Sequence, residues 1–214
     1  MLDRIEEAFR LQKTFVANVS HELKNPLTKI QAQLEVSLLK ERSPESYQST
    51  LESVLEDVRE LSNLSVSLLE LAKVSDEHSD ILTERLRIDD LVWDTREALL
   101  AAKPEYTILF EIPHLPEDDA QLEIYGNATL LKTAFANLMD NACKFSENLK
   151  VSVQLEIHDD TLTLHFRDSG KGITQTDQEL IFQPFFRSDN TANIKGYGIG
   201  LSLVDRIIKL HKGS

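Results

Sequence analysis

One cysteine, Cys143, is present among 214 residues. A lone thiol excludes an intramolecular disulfide, cannot complete a thiolate metal site, and fits a reducing cytoplasm. Glycine is scarce too, with seven in all and none in residues 1–76. Positive charge is short: 23 Lys and Arg against 36 Asp and Glu leave −13 at pH 7, which argues against nucleic acid as a partner. No apolar run approaches the roughly 18 residues of a membrane span. Asp3, Arg4, Glu6 and Glu7 interrupt any apolar signal core, so this segment is expected to make no membrane contact and to be cytoplasmic. There is no Gly-x-Ser-x-Gly elbow and no zinc-ligand spacing. What remains, 41% apolar and 28% charged, is the composition of a globular protein of one large or two small domains.

The first half reads as helix. Ile5, Ala8/Phe9, Phe15/Val16, Val19, Leu23, Leu27, Ile30, Leu34 and Leu38 recur in three- and four-residue steps, the period of a buried helical stripe. His21 lies off that stripe, on a face with Thr14, Asn18, Asn25 and Thr28, where solvent can reach it. Pro26 follows one turn later. A proline inside a helix removes the hydrogen bond to the residue four back, here Glu22, at a cost of roughly 3 kcal/mol. The backbone beside the histidine is thereby loosened. After the ERSPES break at 41–46, Tyr47, Leu51, Val54/Leu55, Val58, Leu61, Leu64, Leu68 and Leu71 repeat the pattern. An antiparallel helical hairpin is predicted. One hairpin leaves apolar surface uncovered and two would bury it as a four-helix bundle, so a homodimer is expected.

Residues 77–82 (EHSDIL) read as a linker between a domain at 1–76 and a second at 83–214. The second is mixed, with strands expected near 84–88, 107–112 and 121–125 and helices near 89–102 and 127–144. Val151, Val153, Leu155 and Ile157 alternate with polar residues, as do Leu162, Leu164 and Phe166. These form a hairpin with one buried face, turning at His158-Asp159-Asp160. A last helix spans about 199–212. Helices on one face of a largely antiparallel sheet make a two-layer α/β sandwich.

Five of the seven glycines fall in two loops. Asp168-Ser169-Gly170-Lys171-Gly172-Ile173 follows the best strand, and Gly196-Tyr197-Gly198-Ile199-Gly200-Leu201 opens the last helix. Glycines before a helix N-terminus let backbone amides approach phosphate oxygens. Neither loop is a P-loop or a Rossmann fingerprint, since Leu201 stands where a third glycine would be. Each loop alone is a weak signal and reads more readily as an ordinary tight turn. On the helix NLMDNACK, Asn137, Asn141 and Lys144 share one face. Amide oxygens are hard ligands suited to Mg²⁺ and lysine neutralises phosphate, although the same face could simply be solvated. The other histidines, His78, His114, His158, His165 and His211, read as surface or structural.

The ordered set SHELKNPL (20–27), NLMDNACK (137–144), DSGKGI (168–173), IFQPFF (181–186) and GYGIGLS (196–202) resembles the H, N, G1, F and G2 boxes of the sensor histidine kinases of two-component systems. The resemblance covers nearly the whole chain. It implies a dimeric helical hairpin followed by an α/β sandwich ATPase domain, with ATP and Mg²⁺ as cofactors. His21 matches the phosphoacceptor, Glu22 the acidic neighbour that activates it, and Asn25 the polar residue that can position water for dephosphorylating a partner. Asn141 corresponds to the Mg²⁺-binding asparagine, supported by Asn137 and Lys144. Asp168 matches the aspartate that accepts from the adenine amino group, and Gly170 and Gly172 let the backbone pass the base. Phe182, Phe185, Phe186 and Arg187 lead into a lid at about 187–196. Gly196, Gly198 and Gly200 border the triphosphate, with Leu201 beside them.

A phosphohistidine is a high-energy donor suited to passing phosphate to an aspartate, and the resemblance implies a response regulator as that acceptor. It also implies that a longer form with a sensory region would be held at the membrane. The family continues beyond the last helix into one or two strands, absent from this sequence. Two other readings stand beside it. A phosphotransfer or scaffolding dimer without catalysis would bind nucleotide but leave His21 unlabelled. An ATPase of the chaperone, topoisomerase or mismatch-repair kind would lack the His-Glu box.

Overall fold

The structure is a computed structural model that describes residues 2–74, 84–116, 118–158, 161–188, 194 and 196–214. The linker expected at 77–82, the turn residues Asp159 and Asp160, His78 and most of the expected lid lie outside the described residues. The chain divides into two compact units, Met1–Glu70 and Leu71–Ser214.

The first unit is built from α1 (Leu2–Leu38) and α2 (Pro44–Val74), of which the residues from Leu71 on count with the second unit. α1 runs unbroken through Pro26. The predicted apolar stripe splits in two. Val19, Leu23 and Ile30 are half-buried, whereas Phe9, Val16, Leu27, Leu34 and Leu38 stay exposed. On α2, Leu64 is buried while Leu51, Leu55 and Val58 are exposed. The stripe is wider than one neighbouring helix can cover, so half of it faces outward. Where the helices do meet, part of the interface is polar. Asp57 is 4% exposed and pairs with Lys29 at 2.6 Å, with Gln33 Nε2 donating to Asp57 Oδ2 at 3.3 Å. Removing Lys29 would leave the buried Asp57 carboxylate without this cation, whereas Lys29 itself is 59% exposed and keeps its water. This pair links α1 to α2.

The second unit contains β1 (Glu84–Arg87), α3 (Ile88–Ala102), β2 (Thr107–Glu111), a 3₁₀ turn at Asp119–Leu122, β3 (Glu123–Gly126), α4 (Ala128–Phe145), β4 (Ser146–His158), β5 (Thr161–Gly170) and α5 (Gly200–Leu210). The strands form two sheets rather than one. β1 pairs antiparallel with β3, and a second sheet runs β2-β4-β5. This second sheet is mixed, not largely antiparallel, because β2 and β4 are parallel. Alternation of apolar residues fixes which face is buried but carries no strand direction; the long crossover through β3 and α4 permits the parallel pairing. β4 and β5 pair antiparallel, with Val153 opposite Phe166 and Leu155 opposite Leu164.

α4 is the centre of this unit. It packs on α3, α5, β4 and β5. Its Ala134, Phe135, Met139 and Cys143 are buried with Val151, Val153 and Leu155 of β4 and Leu203 and Ile207 of α5, while Ser152, Gln154 and Glu156 on the other face of β4 remain partly open. The N-terminus of α4 is capped by Asn127, whose side chain accepts from the Leu130 amide at 3.0 Å. His211 reinforces it. Its Nε2 accepts from the Asn127 amide at 3.0 Å, and its Nδ1 lies 2.7 Å from the Ile207 carbonyl. His211 is therefore a structural residue tying the end of α5 to the start of α4. His158 and His165 both approach Glu156, at 3.2 and 3.4 Å, and His114 is exposed.

Candidate functional site

The chemistry-bearing residues fall on two surfaces, one in each unit. On α1 the His21 side chain is 72% exposed. Its Nδ1 lies 3.2 Å from Asn25 Nδ2 and 3.7 Å from Glu22 Oε1. Asn25 comes from one turn along the same face and Glu22 from the adjacent position, so the ring is oriented by its own helix. His21, Lys24, Asn25, Thr28, Lys29 and Ala32 line a shallow cleft along α1. The arrangement suits a nucleophile. One ring nitrogen is held by polar neighbours, which leaves the other able to attack an incoming electrophile.

The second surface is organised by α4. Asn137 Nδ2 donates to the Thr133 carbonyl at 2.8 Å. A Cβ built on Gly200 would stand 2.7 Å from Asn137 Oδ1 and 3.6 Å from Asn141 Nδ2. Only a glycine lets the first turn of α5 come so close to both amides, and Leu201 follows it half-buried. Gly198 has φ +71°, and a Cβ there would lie 2.5 Å from the Phe186 carbonyl. The Phe185 amide donates to the Gly198 carbonyl at 2.8 Å, so the IFQPFF segment is tied to the glycine loop. Phe186 is half-buried and Arg187 exposed, with Arg187 Nη2 donating to the Ile194 carbonyl at 2.8 Å.

Asp168 lies near the other end of α4. β5 extends through Gly170, so Asp168, Ser169 and Gly170 stand at the strand's end and not in a loop after it. The Asp168 Oδ1 accepts from the Gly170 amide at 2.7 Å. The Ser169 amide approaches Ser146 Oγ, just past the α4 C-terminus, at 3.4 Å. The structure thus brings Asn137, Asn141 and Gly200 together and holds the Asp168–Gly170 segment near the end of the same helix. Gly172 and Gly196 are exposed.

Sequence reasoning missed a third group. The carboxylate of Asp140 pairs with the ammonium groups of both Lys103 and Lys144, and the Tyr106 hydroxyl donates to its Oδ1 at 3.0 Å. Burial pushes the Asp140 carboxyl up, but the two lysines outweigh this and hold it below the usual carboxylate range. Burial first, and then the Asp140 charge, raise the Tyr106 phenol. Burial pushes the Cys143 thiol up to about 11, so this buried cysteine is not a reactive one. Lys144, expected to face phosphate, is therefore paired with Asp140. The four-residue spacing of Asp140 and Lys144 is visible in the sequence; Lys103 and Tyr106 gave no local signal.

A metal would find limited protein ligation here. Among the described residues no three His, Cys, Asp or Glu side chains cluster to hold one. The Asn137 and Asn141 amides, which meet beside Gly200, are of a donor type that fits Mg²⁺, an ion that takes few protein ligands and completes its shell with phosphate oxygens and water.

Residues 11–77 match the His Kinase A (phospho-acceptor) domain and residues 126–214 the histidine kinase-, DNA gyrase B- and HSP90-like ATPases. The probable sensor protein PcoS of Escherichia coli is 30% identical over the whole chain, which covers 45% of that protein. The signal transduction histidine-protein kinase ArlS of Staphylococcus aureus is also 30% identical over the whole chain, which covers 47% of it. The chain thus spans about half the length of these curated relatives. Among solved structures, the histidine kinase ThkA in complex with the response regulator protein TrrA aligns over 97% of this chain and 57% of that one. The TM-score is 0.76 at 22% identity, a likeness of fold. With a phosphoacceptor domain and an ATPase domain in this order, the chain belongs to the sensor histidine kinase family.

Proposed function

We propose that this chain is the kinase core of a sensor, binding ATP with Mg²⁺, phosphorylating His21 and passing the phosphoryl group to an aspartate of a response regulator. The observation that carries this reading is the exposed His21 ring, flanked by Glu22 and Asn25 within a phosphoacceptor domain. Residues 1–76 form the phosphotransfer domain, 77–82 the linker and 83–214 the nucleotide domain. Asp168 accepts from the adenine amino group while Gly170 and Gly172 pass beside the base. Asn137, Asn141 and Lys144 face the phosphates, Asn141 carrying the metal. Phe186, Arg187, Gly196, Gly198, Gly200 and Leu201 border the triphosphate. Bound Mg²⁺ would neutralise phosphate charge and align the γ-phosphorus for in-line attack.

In the transfer, the lone pair of one His21 ring nitrogen forms a bond to the γ-phosphorus as the bond to the bridging oxygen breaks. ADP leaves with that electron pair. Glu22 orients the ring and accepts the proton from its other nitrogen. The phosphoryl group then passes to a regulator carboxylate, and Asn25 supports a second activity by orienting water against the phosphorylated regulator. The partners are a second copy of this chain, docked on the exposed apolar face of the hairpin, and the regulator. No helix among the described residues is long and apolar enough to cross a membrane; the cytoplasm, or the cytoplasmic side of a membrane in a longer form, is the proposed location.

The test is autophosphorylation with γ-labelled ATP and Mg²⁺. Acid-labile, alkali-stable label is expected on the chain, absent from His21→Gln although that variant still binds ATP, and absent from Asn141→Ala. Label retained in His21→Gln would overturn the phosphoacceptor assignment.

A further inference from the structure

We propose that Lys103, from the end of α3, is a positioning residue for the nucleotide's phosphates, acting by holding Asp140 so that Lys144 is free to leave it. The inference rests on the reading of the Asn137–Asn141 face as the phosphate site. The two oxygens of Asp140 are divided between partners. Oδ1 takes the Lys103 ammonium and the Tyr106 hydroxyl, the latter at 3.0 Å. Oδ2 takes Lys144. Lys103 is itself held in place, its Nζ 3.3 Å from the Tyr106 oxygen and 5.0 Å from the centre of the Tyr106 ring.

Two cations therefore share one carboxylate, and the group carries a net positive charge. Lys144 lies on the same helix as Asn137 and Asn141, seven and three residues after them, so its side chain projects to their side of α4. When a triphosphate arrives, Lys144 can turn from Oδ2 to a phosphate oxygen while Asp140 keeps Lys103 and Tyr106. Without Lys103 the same movement would leave a partly buried carboxylate with no cation, and Asp140 would both retain Lys144 and repel the phosphates. Lys103 and Tyr106 precede residue 126, where the match to the ATPase family begins.

The experiment is titration of the chain, and of Lys103→Met, Lys103→Arg and Lys103→Met/Asp140→Asn, with Mg·ATP and separately with adenosine. Lys103→Met is expected to bind Mg·ATP about tenfold or more weakly, the scale of one lost charged contact, with adenosine affinity unchanged. Lys103→Arg should bind like the parent. Removing the Asp140 charge in the double variant should recover most of the loss, because Lys144 is then no longer held. Unchanged ATP affinity in Lys103→Met, equal loss of ATP and adenosine, or no recovery in the double variant would each overturn the proposal. A parent chain that bound adenosine but not Mg·ATP would overturn it together with the phosphate-site reading, whereas tight ATP binding with an inert Lys103→Met overturns the proposal alone.

Discussion

At Gly200 a single hydrogen in place of a side chain sets the distance between α5 and the two asparagines of α4. A methyl group there would meet Asn137 Oδ1 at 2.7 Å, inside van der Waals contact. Gly200→Ala should therefore push α5 away or rotate the Asn137 amide, and lower ATP affinity at least tenfold, the scale of a misplaced polar contact. Thermal unfolding should change little, because the strain is local; equilibrium titration beside a melting curve checks both. At this scale the sequence shows which groups are neighbours wherever they are close in the chain. His21, Glu22 and Asn25 sit within one turn, and Gly196, Gly198 and Gly200 adjoin the start of α5. Asp140 was not readable in the same way, because its partners Lys103 and Tyr106 lie 37 and 34 residues away. Nothing in the spacing of one segment announces a contact made through the fold.

Among the elements, α1 carries the sharpest tension between stability and use. It is 37 residues long with Pro26 inside it, and the proline removes the amide that would otherwise bond to the Glu22 carbonyl. Pro26→Ala should stabilise the hairpin by up to about 3 kcal/mol. Denaturant unfolding followed by circular dichroism measures this, and a variant no more stable than the parent would mean that the helix already absorbs the break. The helices and strands themselves were legible from their periods, since α3, α4 and α5 and the β4–β5 hairpin lie close to where apolar spacing puts them. Three features were not. The α1 stripe divides between an inner and an outer face, a matter of how many neighbours a helix has. The β2–β4 pair is parallel, which alternation does not encode. The end of β5 reaches Gly170 because Ser146 pairs with it across a register shift in β4, and no residue in DSGKGI marks that pairing.

For the whole molecule, charge and apolar surface work against each other. Each chain carries −13, yet the hairpin exposes Phe9, Val16, Leu27, Leu51, Leu55 and Val58, a face that a second copy would cover. Leu51→Lys with Leu55→Lys should give a monomer, while the parent should be a dimer that tightens as salt screens the repulsion between copies. Light scattering across a salt series reads both. The parallel pairing of β2 with β4 bears on the order of assembly. The α1–α2 and β4–β5 hairpins join segments adjacent in the chain, so each can close early. β2 must wait until β3 and α4 have been laid down before it finds β4, and loop closure of that length is slow. Lys103 and Tyr106 lie between α3 and β2, so the segment leading into this long-closing strand also carries the partners of Asp140 Oδ1. Until that segment is in place, Lys144 is the cation that Asp140 has on its own helix, and the lysine is not yet free to turn away.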